Sequence, residues 1–165
     1  MISVDVDVGN TDEARQRVRQ YLRGYRITPT HQRVEIALAL LSKAQHVSAE
    51  QLLLIVNDRG ARVSKATVYN TLGLFVRKGL VRAVLVDPSK VFYDSNTAPH
   101  HHLYDVTTGQ LTDIEEQAVE IREIDEIADG AAFEAVDVVV RVRSQAAKDR
   151  CSPESSALAS GARLD

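Results

Sequence analysis

Residues 64–79 read Ser64-Lys-Ala-Thr-Val-Tyr-Asn-Thr-Leu-Gly-Leu-Phe-Val-Arg-Lys-Gly79 and predict a helix with a cap at each end. Ser64 suits the N-cap, and Gly79 suits the position after the last turn. Val68, Leu72 and Phe75 recur at helical spacing and predict a buried face. The polar residues gather near the N-terminal end, where they are Lys65, Thr67, Tyr69 and Asn70. This layout is typical of the recognition helix of a helix-turn-helix.

Three further helices are predicted before this segment. Acidic residues in the first turn and Gly24 at the end predict a helix over 12–25. Thr30 predicts the N-cap of a second helix. Ser48, with Gln51 three residues later, predicts a capping box at the start of a third.

A hairpin is predicted directly after the segment. Short β-rich runs over 80–86 and 90–93 flank the turn residues Asp87-Pro88-Ser89. Helices in series followed by a small hairpin predict a winged helix-turn-helix, in which the last helix enters the major groove of DNA and the hairpin lies along the backbone.

A second, smaller unit is expected beyond the linker Ser95-Asn-Thr-Ala-Pro99. Its predicted elements are strands over 101–106 and 110–114, an acidic helix over 115–128 and a strand over 135–143. The predicted fold class is therefore α+β. The predicted boundaries are a winged helix over 1–94, a hinge over 95–99, a second unit over 100–143 and a disordered tail over 144–165.

The net charge of −3 conceals an uneven distribution. Residues 15–90 hold fourteen Lys and Arg against four acids, whereas residues 113–137 hold ten acids against one Arg. This asymmetry predicts an anion-binding module followed by a unit of different character. Two solvated faces of opposite sign explain it equally well.

Composition excludes several classes of protein. No uncharged apolar stretch approaches the roughly 20 residues of a membrane span, and the acidic N-terminus is unlike a secretory signal. The single cysteine, Cys151, excludes a disulfide scaffold, Cys-x-x-Cys redox chemistry and a zinc site built on several cysteines of one chain. We expect a soluble cytoplasmic protein with no membrane partner.

The run His100-His101-His102 holds three of the five histidines in the chain. On a strand, His100 and His102 point to one side and His101 to the other. Paired imidazoles suit zinc, iron or manganese, with Asp94 and Asp113 available as oxygen ligands and His46 as a further nitrogen. The alternative is a solvated hinge whose imidazoles only form hydrogen bonds.

Residues 27–140, about 70% of the chain, resemble the ferric uptake regulator family of metal-responsive repressors. The motifs that carry the resemblance are Thr30-His-Gln-Arg33, His46-Val-Ser-Ala-Glu50, Ala66-Thr-Val-Tyr69, Gly79-Leu-Val and His100-His-His102. Within the family the chain is most similar to the iron response regulator branch, which senses iron through haem. Tyr93-Asp-Ser-Asn96, Leu111-Thr-Asp-Ile-Glu115 and Asp137-Val-Val-Val-Arg-Val-Arg143 carry that finer likeness.

The resemblance implies a homodimer that binds an AT-rich operator in double-stranded DNA under the control of iron, manganese or zinc. It maps the regulatory site onto His46, Asp94, His100, His102 and Asp113. Asp94 stands where the family has Glu, so Tyr93 is an alternative ligand there. A second metal or haem site would use His101, Glu120 and Asp137. Pro99 and Asp137 depart from the pattern of that site, since both stand where histidines are usual.

Two features of the family are missing from the sequence. The Cys-x-x-Cys pairs that hold structural zinc in many members are absent, with Asp105 and Thr108 at the first pair. We therefore expect no four-cysteine zinc and a second unit stabilised by packing and dimerisation. The Cys-Pro haem motif is also absent, so haem sensing would rest on the histidine run.

The polar residues near the start of the helix over 64–79 are the candidate DNA contacts. We expect Asn70 to bind adenine through two hydrogen bonds and Tyr69 to contact a thymine methyl group or a sugar. Lys65 and Thr67 are expected at phosphates. Arg33 resembles the family's backbone contact, and Arg26 is expected near a minor groove.

Two rival functions remain open at this point. The first is a metallohydrolase that uses His100, His102 and Asp113 around a catalytic ion, although no general base or nucleophile motif accompanies them. The second is a metal-independent winged-helix regulator whose acidic half binds a partner. The resemblance favours a transcriptional regulator that is not an enzyme.

Overall fold

The computed structural model describes residues 11–42, 45–120 and 136–144. Its helices are α1 (Thr11–Gly24), α2 (His31–Leu41), α3 (Ala49–Asp58) and α4 (Lys65–Arg77). Its strands are β1 (His46–Val47), β2 (Arg82–Asp87), β3 (Lys90–Asp94), β4 (His101–Asp105), β5 (Leu111–Ile114) and β6 (Val139–Val142). No helix within these ranges is long and apolar enough to cross a membrane. The α+β class with an N-terminal winged helix is confirmed.

Local sequence signals account for the helix ends. Thr30, Ser48 and Ser64 each accept a hydrogen bond from the backbone N–H three residues later, and Gln51 closes the capping box. The first helix ends at Gly24 as predicted, but the left-handed backbone position after it belongs to Arg26, whose φ is +56°. That turn lets the amide of Ile27 reach the Leu22 carbonyl while the Ile27 side chain is buried.

Two three-stranded sheets follow the helices. The strand orders are β1-β3-β2 and β5-β4-β6, with β6 parallel to β4 and the other pairs antiparallel. Strand β1 has two residues, too few for a periodic pattern, and sequence reasoning missed it. The predicted acidic helix over 115–128 begins as a 3-10 turn, Glu116–Ala118, and its part from residue 121 lies outside the described residues. The predicted tail beyond Ser144 also lies outside them.

The wing packs against the second sheet. A large core joins the four helices, and it includes the predicted inward face of α4, with Val68, Leu72 and Phe75 fully buried. A smaller core contains wing residues and residues of the second sheet, namely Val84, Val86, Phe92, Tyr104 and Leu111, with Val139 packed against them. The buried apolar residues of the second sheet thus share one core with the wing.

Polar contacts reinforce this seam between the wing and the second sheet. Lys90 Nζ donates to the Tyr104 hydroxyl at 2.8 Å, and the Arg141 guanidinium donates to the carbonyl of Val86. Arg82 of β2 donates to the carbonyl of Ala98 at 3.0 Å. These contacts fix the position of the wing relative to β4. They therefore bring residues at the ends of the wing strands close to residues at the start of β4.

The side chain of Asp105, which stands at the first of the absent Cys-x-x-Cys positions, lies in the turn between β4 and β5. Asp105 Oδ1 accepts hydrogen bonds from the amides of Thr107 at 2.8 Å, Thr108 at 3.4 Å and Ser144 at 3.3 Å. A contact from the Ser144 side chain, followed by the hydrogen bond from the Thr107 amide, lowers the pKa of the Asp105 carboxyl to about 2. The ionised side chain therefore closes the β4–β5 turn and holds the end of β6 to it.

We predict that Asp105→Asn lowers the melting temperature at pH 7, because Asn keeps an acceptor but loses the charge that strengthens these hydrogen bonds. The folded pKa of about 2 lies below the ordinary value of 3.8. The stabilisation is therefore complete above the ordinary value and is lost as the pH falls through the folded one. Thermal melts across acidic pH should show the variant and the wild type converging. Asp58→Asn, at an exposed acid of α3, is the control. A gap between Asp105→Asn and wild type that stays constant at every pH would contradict this role.

Candidate functional site

Four of the five predicted regulatory ligands form two cross-strand pairs, one in each sheet. His46 of β1 lies opposite Asp94 of β3 in the first sheet, and His102 of β4 lies opposite Asp113 of β5 in the second. His100 precedes His102 by two residues and therefore shares its side of the strand. Each register sets an imidazole beside a carboxylate, and the packed wing brings the two pairs together.

The side chains of these five residues converge on one point. Each offers a nitrogen or oxygen atom, and all five atoms lie within 4.8 Å of one another. His46 Nε2 lies 2.8 Å from Asp113 Oδ1, and His100 Nε2 lies 3.0 Å from both Asp94 Oδ2 and His102 Nε2. The separations are short enough for one ion to touch every atom.

Hydrogen bonds orient this cluster from outside. His100 Nδ1 lies 2.7 Å from the carbonyl of Ala98, which assigns the proton to Nδ1 and leaves the Nε2 lone pair facing inward. Asp94 Oδ1 accepts the Asn96 amide at 2.7 Å. Asp113 Oδ2 accepts from the Asn96 side chain at 3.3 Å. The outer atoms of His100, Asp94 and Asp113 are therefore occupied, and the inner atoms of the cluster point at each other.

The inner atoms of the cluster are better suited to binding a cation than to forming hydrogen bonds with one another. Asp94 and His102 are each 1% exposed, and neither Asp94 Oδ2 nor His46 Nε2 has a hydrogen-bond partner among the residues that the structure describes. Buried polar atoms without partners raise the free energy of the folded state, so a ligand bound between these atoms would stabilise it. Three imidazole nitrogens and two carboxylate oxygens match the preferences of manganese, iron and zinc.

Asp94 is ionised in this setting. Its burial alone would raise its pKa, but the contacts from His102 and His46 and the Asn96 amide outweigh burial. The pKa of the Asp94 carboxyl therefore lies well below its usual range. A buried carboxylate that remains an anion at neutral pH supplies the negative charge that a divalent cation requires.

A cavity of about 590 Å³ reaches the cluster from solvent. It meets the cluster along His46, Asp94 and Asp113 and is otherwise lined largely by polar side chains, among them Gln110 and Thr112. Asp113 is the most exposed of the five, with 38% of its side chain accessible. The cavity gives an ion a path to the site.

The second predicted group is not brought together within the described residues. His101 is 3% exposed, and neither ring nitrogen has a hydrogen-bond partner. Glu120 is exposed, and Asp137 pairs instead with Arg82 of the wing. This second site stays a prediction. Tyr93 is half-buried and packs against the helical core, whereas Asp94 supplies the converging oxygen.

The recognition helix α4 presents its predicted polar residues to solvent. Lys65, Tyr69 and Asn70 are exposed, while the Thr67 hydroxyl lies 2.8 Å from that of Ser64 and helps to cap the helix. Sequence reasoning missed one neighbour of this surface. Glu50 of α3 contacts both Lys65 and Tyr69, and its only signal in the sequence is that it is one of the few acids in the basic half.

The two predicted arginines lie near the start of α2. Arg33 is partly buried and donates to the Thr28 carbonyl at 2.9 Å. Arg26 is exposed in its left-handed turn.

The family model described as "Ferric uptake regulator family" matches residues 23–143. The chain belongs to the ferric uptake regulator family. It is 30% identical over 99 residues to the ferric uptake regulation protein of Synechococcus elongatus, which covers 59% of this chain and 67% of that protein. It is 31% identical over 105 residues to the peroxide-responsive repressor PerR of Staphylococcus aureus, which covers 64% of this chain and 68% of that protein.

Solved structures of the family share this fold. The ferric uptake regulator of Vibrio cholerae superimposes with a TM-score of 0.66 at 25% identity, over 76% of this chain and 98% of that one. The regulator from Pseudomonas aeruginosa, solved with manganese, gives a TM-score of 0.62 at 26% identity, over 78% and 98%.

Membership in the family settles the class of function. The protein is a metal-responsive, DNA-binding transcriptional repressor and not an enzyme, so the metallohydrolase alternative is excluded. The same membership argues against a metal-independent regulator. Regulators of this family bind DNA and act as dimers. The relatives do not specify the iron response branch, and none of their names mentions haem, so the expectation of haem sensing finds no support.

We predict that the double variant His100→Ala with His102→Ala loses one equivalent of tightly bound manganese, because it removes two of the three converging nitrogens. Calorimetric titration of the metal-free protein measures the stoichiometry, and circular dichroism checks the fold. His31→Ala, at an exposed histidine outside the cluster, is the matched control. Unaltered stoichiometry in the double variant would count against the site.

Proposed function

We propose that this repressor binds an AT-rich operator as a homodimer and that the cluster of His46, Asp94, His100, His102 and Asp113 is its regulatory metal site. The observation that supports this most is the origin of the five residues. Two of them belong to the sheet of the wing, and three lie on or next to strands of the second sheet. A site that bridges two parts of a chain can bias their relative arrangement.

The five residues would hold manganese, iron or zinc. A divalent cation, when bound, supplies coordination bonds and positive charge that join the two cross-strand pairs. His46 and Asp94 tie the site to the helices through β1 and β3. His100 is held by the Ala98 carbonyl, so the linker also takes part. In a dimer, the orientation of each wing sets the distance between the two α4 helices, which must match the half-site spacing of the operator.

The exposed face of α4 is suited to reading bases. Asn70 would bind adenine through two hydrogen bonds, and Tyr69 would contact a thymine methyl group or a sugar. Lys65, Thr67 and Arg33 would hold phosphates, and Arg26 would lie near a minor groove. The excess of ten positive charges over residues 15–90 supports binding to a polyanion.

An apolar strip on the second sheet supports the homodimer. Strand β6 lies at an edge of this sheet as far as the structure describes it, and its Val140 and Val142 are 38% and 36% exposed. Val106, just beyond β4, is 39% exposed. An edge strand that exposes valines is a surface that a second copy can cover.

Operator affinity should depend on the cluster. We expect manganese to change the affinity of the wild type for its operator by a factor of about 5 to 150, the usual range for coupled sites. Asp113→Asn should reduce this factor, because it weakens the most exposed ligand without opening the core. Fluorescence anisotropy with an operator selected from random DNA measures both proteins. An equal response to manganese in the wild type and in Asp113→Asn would contradict the assignment of the regulatory site.

Sequence preference should depend on Asn70. We predict that Asn70→Ala costs about 1–3 kcal/mol on the operator and little on random DNA, because a contact to a base edge is lost. Lys65→Ala should weaken binding to all sequences about equally, because a phosphate contact carries no sequence information. Titrations against operator and random duplexes test both variants. Equal losses on the two duplexes for Asn70→Ala would refute its role in readout.

A further inference from the structure

One carboxylate on α3 engages two DNA-facing residues of α4. The Tyr69 hydroxyl donates a hydrogen bond to Glu50 Oε1, and Lys65 Nζ lies 3.5 Å from the same oxygen. The Lys65 ammonium also lies 5.5 Å from the centroid of the Tyr69 ring. The carboxylate, the phenol and the ammonium therefore form one contact group on the surface.

The contact group of Glu50, Lys65 and Tyr69 is more important for its position than for its contribution to folding stability. Exposed ion pairs contribute little to folding, and the Glu50 and Lys65 side chains are 58% and 65% exposed. The group nevertheless lies beside the N-terminal turns of the helix that faces the groove, where a carboxylate repels the phosphates of DNA. Residues 15–90 contain only four acids, so an acid here stands out against a basic surface.

We propose that Glu50 sets the specificity of DNA binding by competing with phosphate for Lys65 while it holds the Tyr69 ring in its reading position. This inference rests on the proposed use of α4 as the reading helix. Glu50 is a positioning residue, since it acts through Lys65 and Tyr69. Its partner chemistry is that of the duplex backbone, a row of phosphate monoanions.

The competition affects random DNA and the operator differently. Binding to random DNA depends almost entirely on phosphate contacts, and Lys65 must leave Glu50 to make one. On the operator, the same cost is offset by the Tyr69 contact to a thymine methyl group, which Glu50 orients. The hydrogen bond from Tyr69 also lowers the pKa of the Glu50 carboxyl, which keeps the competing charge in place at neutral pH.

Two substitutions separate charge from orientation. Glu50→Gln removes the charge but keeps an oxygen that accepts from Tyr69, whereas Glu50→Ala removes both. We expect Glu50→Gln to bind random duplex more tightly than wild type, with a slope of log affinity against log salt that is steeper by up to about 0.9, the value of one full phosphate contact. The gain should then be larger at about 50 mM salt than at about 200 mM, by up to about three- to fourfold. Glu50→Ala should show a similar gain on random DNA but weaker operator binding than Glu50→Gln.

Two controls isolate the mechanism. Asp58→Asn removes one negative charge from the same helix at an exposed position, so it tests for an effect of net charge. Adding Lys65→Ala to Glu50→Gln closes a double-mutant cycle, in which the gain on random DNA should disappear. Circular dichroism of the full chain shows that each variant is folded.

Three results would overturn the proposal: no gain in Glu50→Gln, an equal gain in Asp58→Asn, or a gain that persists without Lys65. Each of these is measured against a wild type that binds DNA and loses affinity on Lys65→Ala, so it leaves the proposed function intact. A wild type that binds neither duplex would instead overturn the proposed function, and this inference with it.

Discussion

The structure depends on two histidine–aspartate pairs that face each other from different sheets. Strand register creates each pair, because a shift of one residue would turn the side chains to the opposite face. The apolar seam between wing and second sheet then holds the pairs within reach of each other. Neither sheet has the five atoms alone, so the site exists only when both parts of the chain are in place.

The first sheet also connects this site to the recognition helix. His46 lies four residues before Glu50 in the sequence, and the capping box of Ser48 and Gln51 fixes the backbone between them. The carboxylate of Glu50 then contacts α4 through Tyr69. A residue of the metal-ligand cluster and a residue that contacts α4 therefore lie within one short segment, residues 46–50.

The helices could be predicted from sequence because their signals are local. Caps at Thr30, Ser48 and Ser64 and the apolar spacing of α4 each involve residues within a few positions of one another. Strand β1 could not be predicted, because two residues become a strand only by pairing with β3. The pairing of Asp137 with Arg82 spans fifty-five residues and leaves no local pattern.

Part of the candidate site could also be predicted from the sequence. Alternation along a strand was enough to predict that His100 and His102 share a face, and His46 was a candidate because the chain has few histidines; the family resemblance then mapped all five residues onto one site. That Asp94 and Asp113 each stand across from a histidine is a matter of register, which depends on the partner strand. Glu50 escaped notice because its neighbours on α4 are fifteen and nineteen residues away in sequence.

The turn held by Asp105 has a chemical consequence. The turn is closed by hydrogen bonds between a carboxylate oxygen and backbone amides, and none of the residues 105–111 that form it is a cysteine. A carboxylate and an amide are not oxidised or alkylated as a thiolate is, so the closure of this turn does not depend on the redox state of its surroundings.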